Sequence, residues 1–285
     1  MARFQWIVDE VKGLEALDGL ARPLAGIAGK WTSSTPVKNF LSGTWLGHQL
    51  HPMLTDVPIG TWVAAGMLDF TGGRSSARAA RRLVGLGVLA ALPTAAAGAS
   101  DWSETYGSEQ RVGLVHALGN ISATSLQAAS YLARRRGRHF TGVMLSTAGL
   151  GLMTGASYLG GHLSWNGGVG VNHTAFEEGT TDWTEVTSLA DLEVDKPVRV
   201  MAGKVPVMLV RRGDSEVLAL SATCVHAGGP LDEGELIDGC VRCPWHGSMF
   251  RLTDGKVKRG PAAIDQPAWQ ARVEGDKVEV RFGAG

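Results

Sequence analysis

The stretch that decides the fold of the last third of the chain is Cys224-Val-His226, followed by Cys243-Pro-Trp-His246-Gly. Sixteen residues separate the two halves, and each half offers one thiolate and one imidazole at short spacing. Cys-x-His and Cys-x-x-His both fit a tight loop at the tip of a hairpin, where two side chains turn toward one point. Two such loops side by side would enclose a metal site.

Two thiolates and two imidazoles are what a Rieske [2Fe–2S] centre needs, because thiolates hold one iron and imidazoles the other. Here the sequence resembles the Rieske family, over roughly residues 185–282. The resemblance implies that Cys224 and Cys243 ligate one iron and that His226 and His246 ligate the other. It also implies a small antiparallel β domain, which the alternating apolar segments and turn pairs of this region indicate as well.

The residues beside the ligands also fit a cluster. Gly228 and Gly247 let the backbone bend around it and can offer amides to its sulfurs, and Ser248 can donate a further hydrogen bond. Rieske proteins of cytochrome bc complexes carry an extra cysteine in each loop, and the matching positions here are Gly229 and Trp245. The sequence therefore resembles more closely the Rieske ferredoxins that feed oxygenases.

Zinc is the alternative metal. Cys240 and Cys243 form a Cys-x-x-Cys, a spacing found in zinc sites. Each half of the motif mixes Cys with His, however, whereas zinc fingers repeat Cys with Cys and His with His. The pattern favours an iron–sulfur cluster, and Cys240 is expected to be a packing residue.

Composition limits the function classes. The chain has 285 residues, which suggests two domains, and its formal net charge of zero gives no reason to expect nucleic acid as a partner. Three cysteines, two of them assigned to iron, exclude a disulfide framework. Long apolar runs are confined to the first two thirds of the chain.

Four apolar stretches indicate a membrane half. They cover about residues 53–70, 83–99, 112–132 and 140–163, and each is long enough to cross about 30 Å of hydrocarbon as a helix. We therefore predict an α + β multidomain fold, with a four-helix transmembrane bundle followed by an all-β Rieske domain. The predicted domains are residues 1–46 (amphipathic, interfacial helices, with a helix over residues 4–27), 47–171 (transmembrane bundle) and 182–285 (Rieske domain).

The membrane half also carries a resemblance. Gly47-His-Gln-Leu-His-Pro52 and Pro58-Ile-Gly60 resemble a bacterial membrane family of unknown function that often precedes Rieske domains, over roughly residues 45–165. The resemblance implies a lipid membrane, the plasma membrane of a bacterium, and brings no established activity.

Loop charges predict an orientation. The loop after the first stretch and the loop after the third are rich in arginine, whereas the middle loop carries Asp101, Glu104 and Glu109. The positive-inside rule places the arginine loops in the cytoplasm and the Rieske domain on the outer face. The run Arg134-Arg-Arg-Gly-Arg loosely resembles a twin-arginine signal, which exports folded domains, although these arginines are also consistent with simple anchoring.

Four further histidines, His48, His51, His116 and His162, are predicted to lie near one membrane face. Imidazoles on facing helices can hold a b-type haem, with His51 and His116 as the best pair, or bind a quinone headgroup. Histidines that only meet water and lipid headgroups are the competing interpretation.

The predicted function is one-electron transfer by a membrane-anchored Rieske protein, with a redox protein or a quinone as partner. One alternative is a quinol- or haem-linked oxidoreductase that uses the membrane histidines, and another is a redox sensor. A Rieske oxygenase is disfavoured, because the chain offers no separate domain for a non-haem iron site with two histidines and a carboxylate.

Overall fold

The computed structural model describes residues 5–283, so residues 1–4 and 284–285, at the ends of the predicted domains, lie outside the described residues. The chain divides into two compact units. The first contains residues 1–33 and 50–169, and the second contains residues 34–49 and 170–285.

Seven α-helices precede the first strand in the described residues, not the four that we predicted. They are α1 (Gln5–Gly13), α2 (Asp18–Trp31), α3 (Thr35–Ser42), α4 (Leu50–Thr71), α5 (Gly73–Trp102), α6 (Gly107–Arg135) and α7 (His139–Trp165). The four longest, α4 to α7, contain the four predicted apolar stretches. The additional three lie within residues 1–46, where we predicted amphipathic helices, and the single helix predicted over residues 4–27 is divided into α1 and α2.

The four long helices form a bundle within the first unit. Helix α4 packs mainly on α5 and α6 mainly on α7, while contacts between α5 and α6 and between α4 and α7 close the bundle. Helices α1 and α2 pack on α6, where Arg111 Nε donates to Asp18 Oδ1 at 2.6 Å and Arg111 Nη1 donates to the Lys12 carbonyl at 2.6 Å.

By length and composition, one helix among the described residues is apolar enough to cross a membrane, the segment Ser75–Trp102 within α5.

The described residues of the second unit contain ten strands in two antiparallel sheets. The strands are β1 (Thr184–Ser188), β2 (Pro197–Ala202), β3 (Val205–Arg212), β4 (Glu216–Ser221), β5 (Glu235–Ile237), β6 (Cys240–Arg242), β7 (Met249–Arg251), β8 (Val257–Arg259), β9 (Ala268–Glu274) and β10 (Lys277–Phe282). The larger sheet has the order β1-β10-β9-β4-β3-β2, and the smaller sheet has the order β5-β6-β7-β8. The all-β character predicted from the sequence is confirmed.

The apolar run over residues 236–241 is interrupted by Asp238 and Gly239, which have φ values of 49° and 74° and form the tight turn between β5 and β6. Successive positive φ angles are typical of a two-residue hairpin turn, whose twist matches that of the flanking strands.

Candidate metal centre

The two Cys/His loops have the same construction. Residues 224–229 form a six-residue loop closed by the bridge between Thr223 and Pro230, and residues 243–248 form one closed by the pair Arg242 and Met249 of β6 and β7. Each loop begins with its cysteine. A repeated local geometry of this kind follows from the repeated local sequence, because both loops must bend within six residues.

The backbone hydrogen bonds of the two loops correspond one to one. In the first loop, Cys224 N donates to Gly229 O at 2.8 Å and Gly228 N donates to Cys224 O at 2.9 Å. In the second, Cys243 N donates to Ser248 O at 2.8 Å and Gly247 N donates to Cys243 O at 3.0 Å.

Glycine is required at the fifth position of each loop. Gly228 has a φ of 78° and Gly247 a φ of 71°, a left-handed conformation that is costly for residues with a Cβ atom. The glycines that we predicted to let the backbone bend around the site therefore lie where the chain turns.

The loops bring the four predicted ligands together. The His226 and His246 rings have centroids 4.9 Å apart and planes at 82°. The Cys224 thiol hydrogen-bonds the Cys243 sulfur, so the two sulfurs also meet. Among the described residues the three cysteines are free, and Cys240 lies at the start of β6, outside both loops.

The surroundings give the cysteines different acidities. The hydrogen bond from Cys224 lowers the pKa of Cys243 to about 7, with further support from the backbone N–H groups of Trp245 and His246. The same thiol interaction and burial raise the pKa of Cys224. One of the two sulfurs is therefore close to the thiolate form that metals bind.

The His226 ring is held neutral. Burial, followed by the positive charge of His246, Lys38 and His173, lowers its pKa to about 3. A neutral imidazole keeps a lone pair for a metal, whereas imidazolium has none. His226 can therefore bind a metal without first losing a proton.

The space beside the two cysteine sulfurs leaves no room for a side chain at position 229. A Cβ atom at Gly229 would lie 2.9 Å from Cys243 Sγ and 3.1 Å from the Trp245 ring, so only glycine fits. Ser248 is fully buried, and its hydroxyl accepts a hydrogen bond from Ala262 N at 3.0 Å, which leaves the hydroxyl proton available for a sulfur.

Two side chains that hold the loops were not predicted from the sequence. Gln266 Oε1 accepts from Val225 N at 3.0 Å, while its Nε2 donates to Ser221 O at 2.8 Å and Thr223 O at 2.7 Å. Arg259 Nη1 donates to Gly247 O at 2.8 Å. Both lie far from the motif in sequence, and no local pattern marks them.

Two segments from outside the strands also bond to this domain, one at the first loop and one at Lys258 and Gly260. His173 N donates to Val225 O at 3.1 Å. From α3, Asn39 Nδ2 donates to Lys258 O at 3.1 Å, and Asn39 Oδ1 accepts from Gly260 N at 2.8 Å. Helix α3 thus belongs to the compact unit that contains the two loops.

The four helical-region histidines do not form one group. His51 and His116 meet, with ring centroids 6.5 Å apart. His162 is buried, and its Nε2 has no hydrogen-bond partner in the described part of the chain. His48 is exposed, its Nδ1 lies 3.0 Å from Gln49 O, and it falls in the second unit.

Comparison with known proteins places the loops in a family. Residues 182–270 match the family of the Rieske [2Fe-2S] domain. The anthranilate 1,2-dioxygenase ferredoxin subunit of Burkholderia cepacia is 30% identical over 102 residues, which are 36% of this chain and 94% of that protein. The chain belongs to the Rieske [2Fe-2S] family. Membership of this family implies a [2Fe–2S] cluster, and the two loops of this Rieske chain provide a donor set that fits one.

Other similarities cover parts of the chain. Residues 47–173 of this Rieske chain match a family described as "Predicted membrane protein (DUF2231)". Apoptosis-inducing factor 3 of Mus musculus is 36% identical over 96 residues, and the chain spans 16% of the length of that relative. The solved ferredoxin of carbazole 1,9a-dioxygenase from Nocardioides aromaticivorans IC177 is 28% identical, with 35% of this chain and 98% of that chain covered and a TM-score of 0.34.

Proposed function

We propose that this chain is a membrane-anchored one-electron carrier whose cluster is held by Cys224 and Cys243 on one iron and by His226 and His246 on the other. The observation that carries the proposal is the pair of matching six-residue loops that bring two sulfurs and two imidazole rings to one place. When bound, the cluster accepts and releases one electron at a time.

The protein's contribution is positioning and tuning. Gln266 and Arg259 hold the backbones of the loops, so the ligands move little between redox states. Backbone N–H groups directed at the cysteine sulfurs stabilise negative charge there and favour the reduced cluster.

A redox protein is the partner that we propose. The relative from Burkholderia cepacia is named as the ferredoxin subunit of anthranilate 1,2-dioxygenase, which supports another redox protein as the partner of this chain. Trp245 is 55% exposed and adjoins His246, with ring centroids 6.3 Å apart. An exposed aromatic side chain beside a ligand is suited to a docking surface through which an electron passes.

Membrane attachment through several helices is supported by an inverted distribution of side chains in the first unit. Small and polar side chains, such as Ala65, Ala123 and Gln127, are buried between the helices, while large apolar ones face outward. The outward side chains occur on all four long helices, for example Met67 and Phe70 on α4, Leu89 and Leu92 on α5, Leu118 and Ile121 on α6, and Phe140 and Met144 on α7. In water such a surface would be unfavourable, whereas lipid accepts it.

We place the chain in the plasma membrane of a bacterium as a multi-pass protein, with the Rieske domain on the outer face. The arginines of the two loops support this orientation. The domain boundaries that we propose remain those predicted from the sequence, with residues 1–46 before the membrane domain of 47–171 and the Rieske domain of 182–285.

Metal and sulfide analysis of the detergent-purified protein tests the cluster. We expect about two irons and two acid-labile sulfides per chain, and a low-temperature spin resonance spectrum after reduction. A His246→Cys variant should change that spectrum, because a thiolate replaces a nitrogen ligand. Cys240→Ser is the matched control and should leave it unchanged, since Cys240 lies outside both loops. Zinc in place of iron, iron without sulfide, or an unaltered His246→Cys spectrum would overturn the assignment.

A second candidate function is an oxidoreductase in which the helical unit has its own redox group, a haem or a quinone. The close approach of His51 and His116 favours it over simple anchoring. Reduced and oxidised visible spectra of the same preparation test it, because haem gives a sharp reduced α-band and the cluster only broad absorption. A sensor that reports the state of the cluster to the membrane half would give the cluster spectrum alone.

A further inference from the structure

His51 and His116 make the same contact in two different helix pairs. His51 Nδ1, on α4, lies 2.9 Å from Thr94 O of α5. His116 Nδ1, on α6, lies 2.8 Å from Ala156 O of α7. In both cases the imidazole fits against a glycine four residues beyond the carbonyl, since a Cβ atom at Gly98 or Gly160 would lie within 2.8 Å of the ring.

The correspondence continues along the helices. Eleven residues after each histidine, a side chain again crosses to the neighbouring helix, with Trp62 Nε1 donating to Val84 O at 3.2 Å and Gln127 Nε2 to Ser146 O at 3.1 Å. Positions in α6 are thus 65 residues beyond their counterparts in α4, as 116 is from 51 and 127 from 62. Positions in α7 are 62 residues beyond those in α5, as 156 is from 94 and 146 from 84.

These equal offsets indicate that the two helix pairs repeat one hairpin geometry about an approximate internal two-fold axis. Residues at equivalent positions that also touch each other must lie beside that axis. His51 and His116 do so at one end, with their ring planes at 85°. Asp69 and Arg134, again 65 residues apart, do so at the other end, where Arg134 Nη1 donates to Asp69 Oδ1 at 2.7 Å. The histidine pair thus lies on the axis that relates the two hairpins, near one end of the bundle.

The hydrogen bonds determine which ring nitrogen is left for a ligand. A carbonyl oxygen can only accept, so Nδ1 of each histidine carries the proton and Nε2 of the neutral ring carries a lone pair. Metal-binding histidines usually donate their other N–H to a carbonyl in this way, which orients the ring. Asn120 Nδ2 lies 3.3 Å from Nε2 and 3.4 Å from Nδ1 of His116 and donates to His116 O at 3.0 Å, so a metal at Nε2 would displace only this long contact.

We propose that His51 and His116 form a metal centre on the internal two-fold axis, binding iron of a haem or a single transition-metal ion through both Nε2 atoms. A metal about 2 Å from each nitrogen would place the ring centroids roughly 6 Å apart, close to the observed 6.5 Å. No third His, Cys, Asp or Glu side chain among the described residues joins His51 and His116 as a ligand, so porphyrin nitrogens or water would complete the coordination.

This inference rests on the proposed function only for its role as a second redox group, because its residues lie wholly in the helical unit. The test uses the detergent-purified full chain with its cluster loaded, so iron, sulfide and the cluster spectrum report separately on the Rieske loops. Haemin is titrated in one arm, and Cu²⁺ and Co²⁺ in the other. We expect one equivalent to bind per chain, as low-spin bis-imidazole haem or as a metal ion with nitrogen ligands.

Variants of the two histidines test whether they bind the haem or the metal ion. His51→Met and His116→Met keep side-chain bulk and should each weaken binding by more than about tenfold, the effect seen for residues that only support a ligand. With haem, the single variants should also change the reduced spectrum, because sulfur replaces one axial nitrogen. His139→Ala, which removes an exposed histidine at the start of α7, is the matched control and should bind as the parent does.

Each outcome of this experiment either supports or overturns the proposed metal centre. Haem binding or binding of a bare metal ion that is weakened, or altered in its spectrum, in both methionine variants supports the site and identifies its ligand. No binding of either by the folded parent protein, or binding that the methionine variants leave unchanged, overturns the inference. Neither result depends on whether the cluster itself transfers electrons to a partner.

Discussion

At the scale of single residues, Gln266 holds the first loop. Its side chain serves three backbone groups of residues 221–225, and it is almost fully buried. An amide is suited to this task because it donates and accepts at once. The ligands Cys224 and His226 therefore depend on a residue about forty positions later in the chain.

We predict that Gln266→Leu destabilises the unit that contains the loops. An unsatisfied buried polar group costs about 1–3 kcal/mol, and the variant leaves at least one N–H and two carbonyls without their partner. Chemical denaturation of the purified protein measures the loss, and cluster content should fall with it. Gln270→Leu is the matched control, because Gln270 on β9 bonds only a half-buried arginine, Arg281. Equal losses in the two variants would contradict the role given to Gln266.

Gly229 shows how little room the site leaves. We predict that Gly229→Ala lowers cluster content, because the added methyl would press on Cys243 Sγ from 2.9 Å. Iron and sulfide analysis measures the cluster content. Gly275→Ala, in the turn between β9 and β10, strains a positive φ of 64° but meets nothing within 4 Å, so it should reduce stability and spare the cluster.

At the scale of elements, the two helix hairpins are joined by one buried ion pair. The side chains of Asp69 and Arg134 are each 2% exposed, and Arg134 Nε also donates to Ser130 Oγ at 3.1 Å. Breaking a buried pair leaves one charge without compensation. The pair thus makes the mutual position of α4 and α6 depend on two residues at equivalent points of the repeat.

We predict that Asp69→Asn destabilises the bundle by about 3–5 kcal/mol. Because the positions are equivalent, the exchange Asp69→Arg with Arg134→Asp should re-form the pair and recover most of the loss. Thermal unfolding in detergent measures the stability of the Asp69→Asn variant and of the exchange variant. An exchange variant as unstable as Asp69→Asn would argue against the two-fold relation of the hairpins.

At the scale of the whole molecule, the predicted orientation can be tested on intact cells. If the Rieske domain is on the outer face, protease added to spheroplasts should remove it, while a tag inserted in the arginine-rich turn after α6 stays protected. Protection of the Rieske domain with cleavage of the tag would reverse the orientation. Lysed cells, in which both sites should be cut, provide the control.

The sequence by itself determined the two Cys/His loops, the strands that carry them and the position of the long apolar helices. These follow from neighbours within a few residues, because a six-residue loop and an apolar run are local patterns. The sequence did not reveal the hairpin repeat, since few residues other than the histidines and two pairs of glycines are identical in its two copies.

Only the tertiary structure decided which distant residues meet. It showed that His51 and His116 meet, joined Gln266 to the first loop, and joined α3 to Lys258 and Gly260. Such contacts depend on how whole helices and sheets pack, and packing depends on side chains from many parts of the chain at once. No short pattern in the sequence carries that information, so the sequence could name His51 and His116 as the best pair without showing their contact.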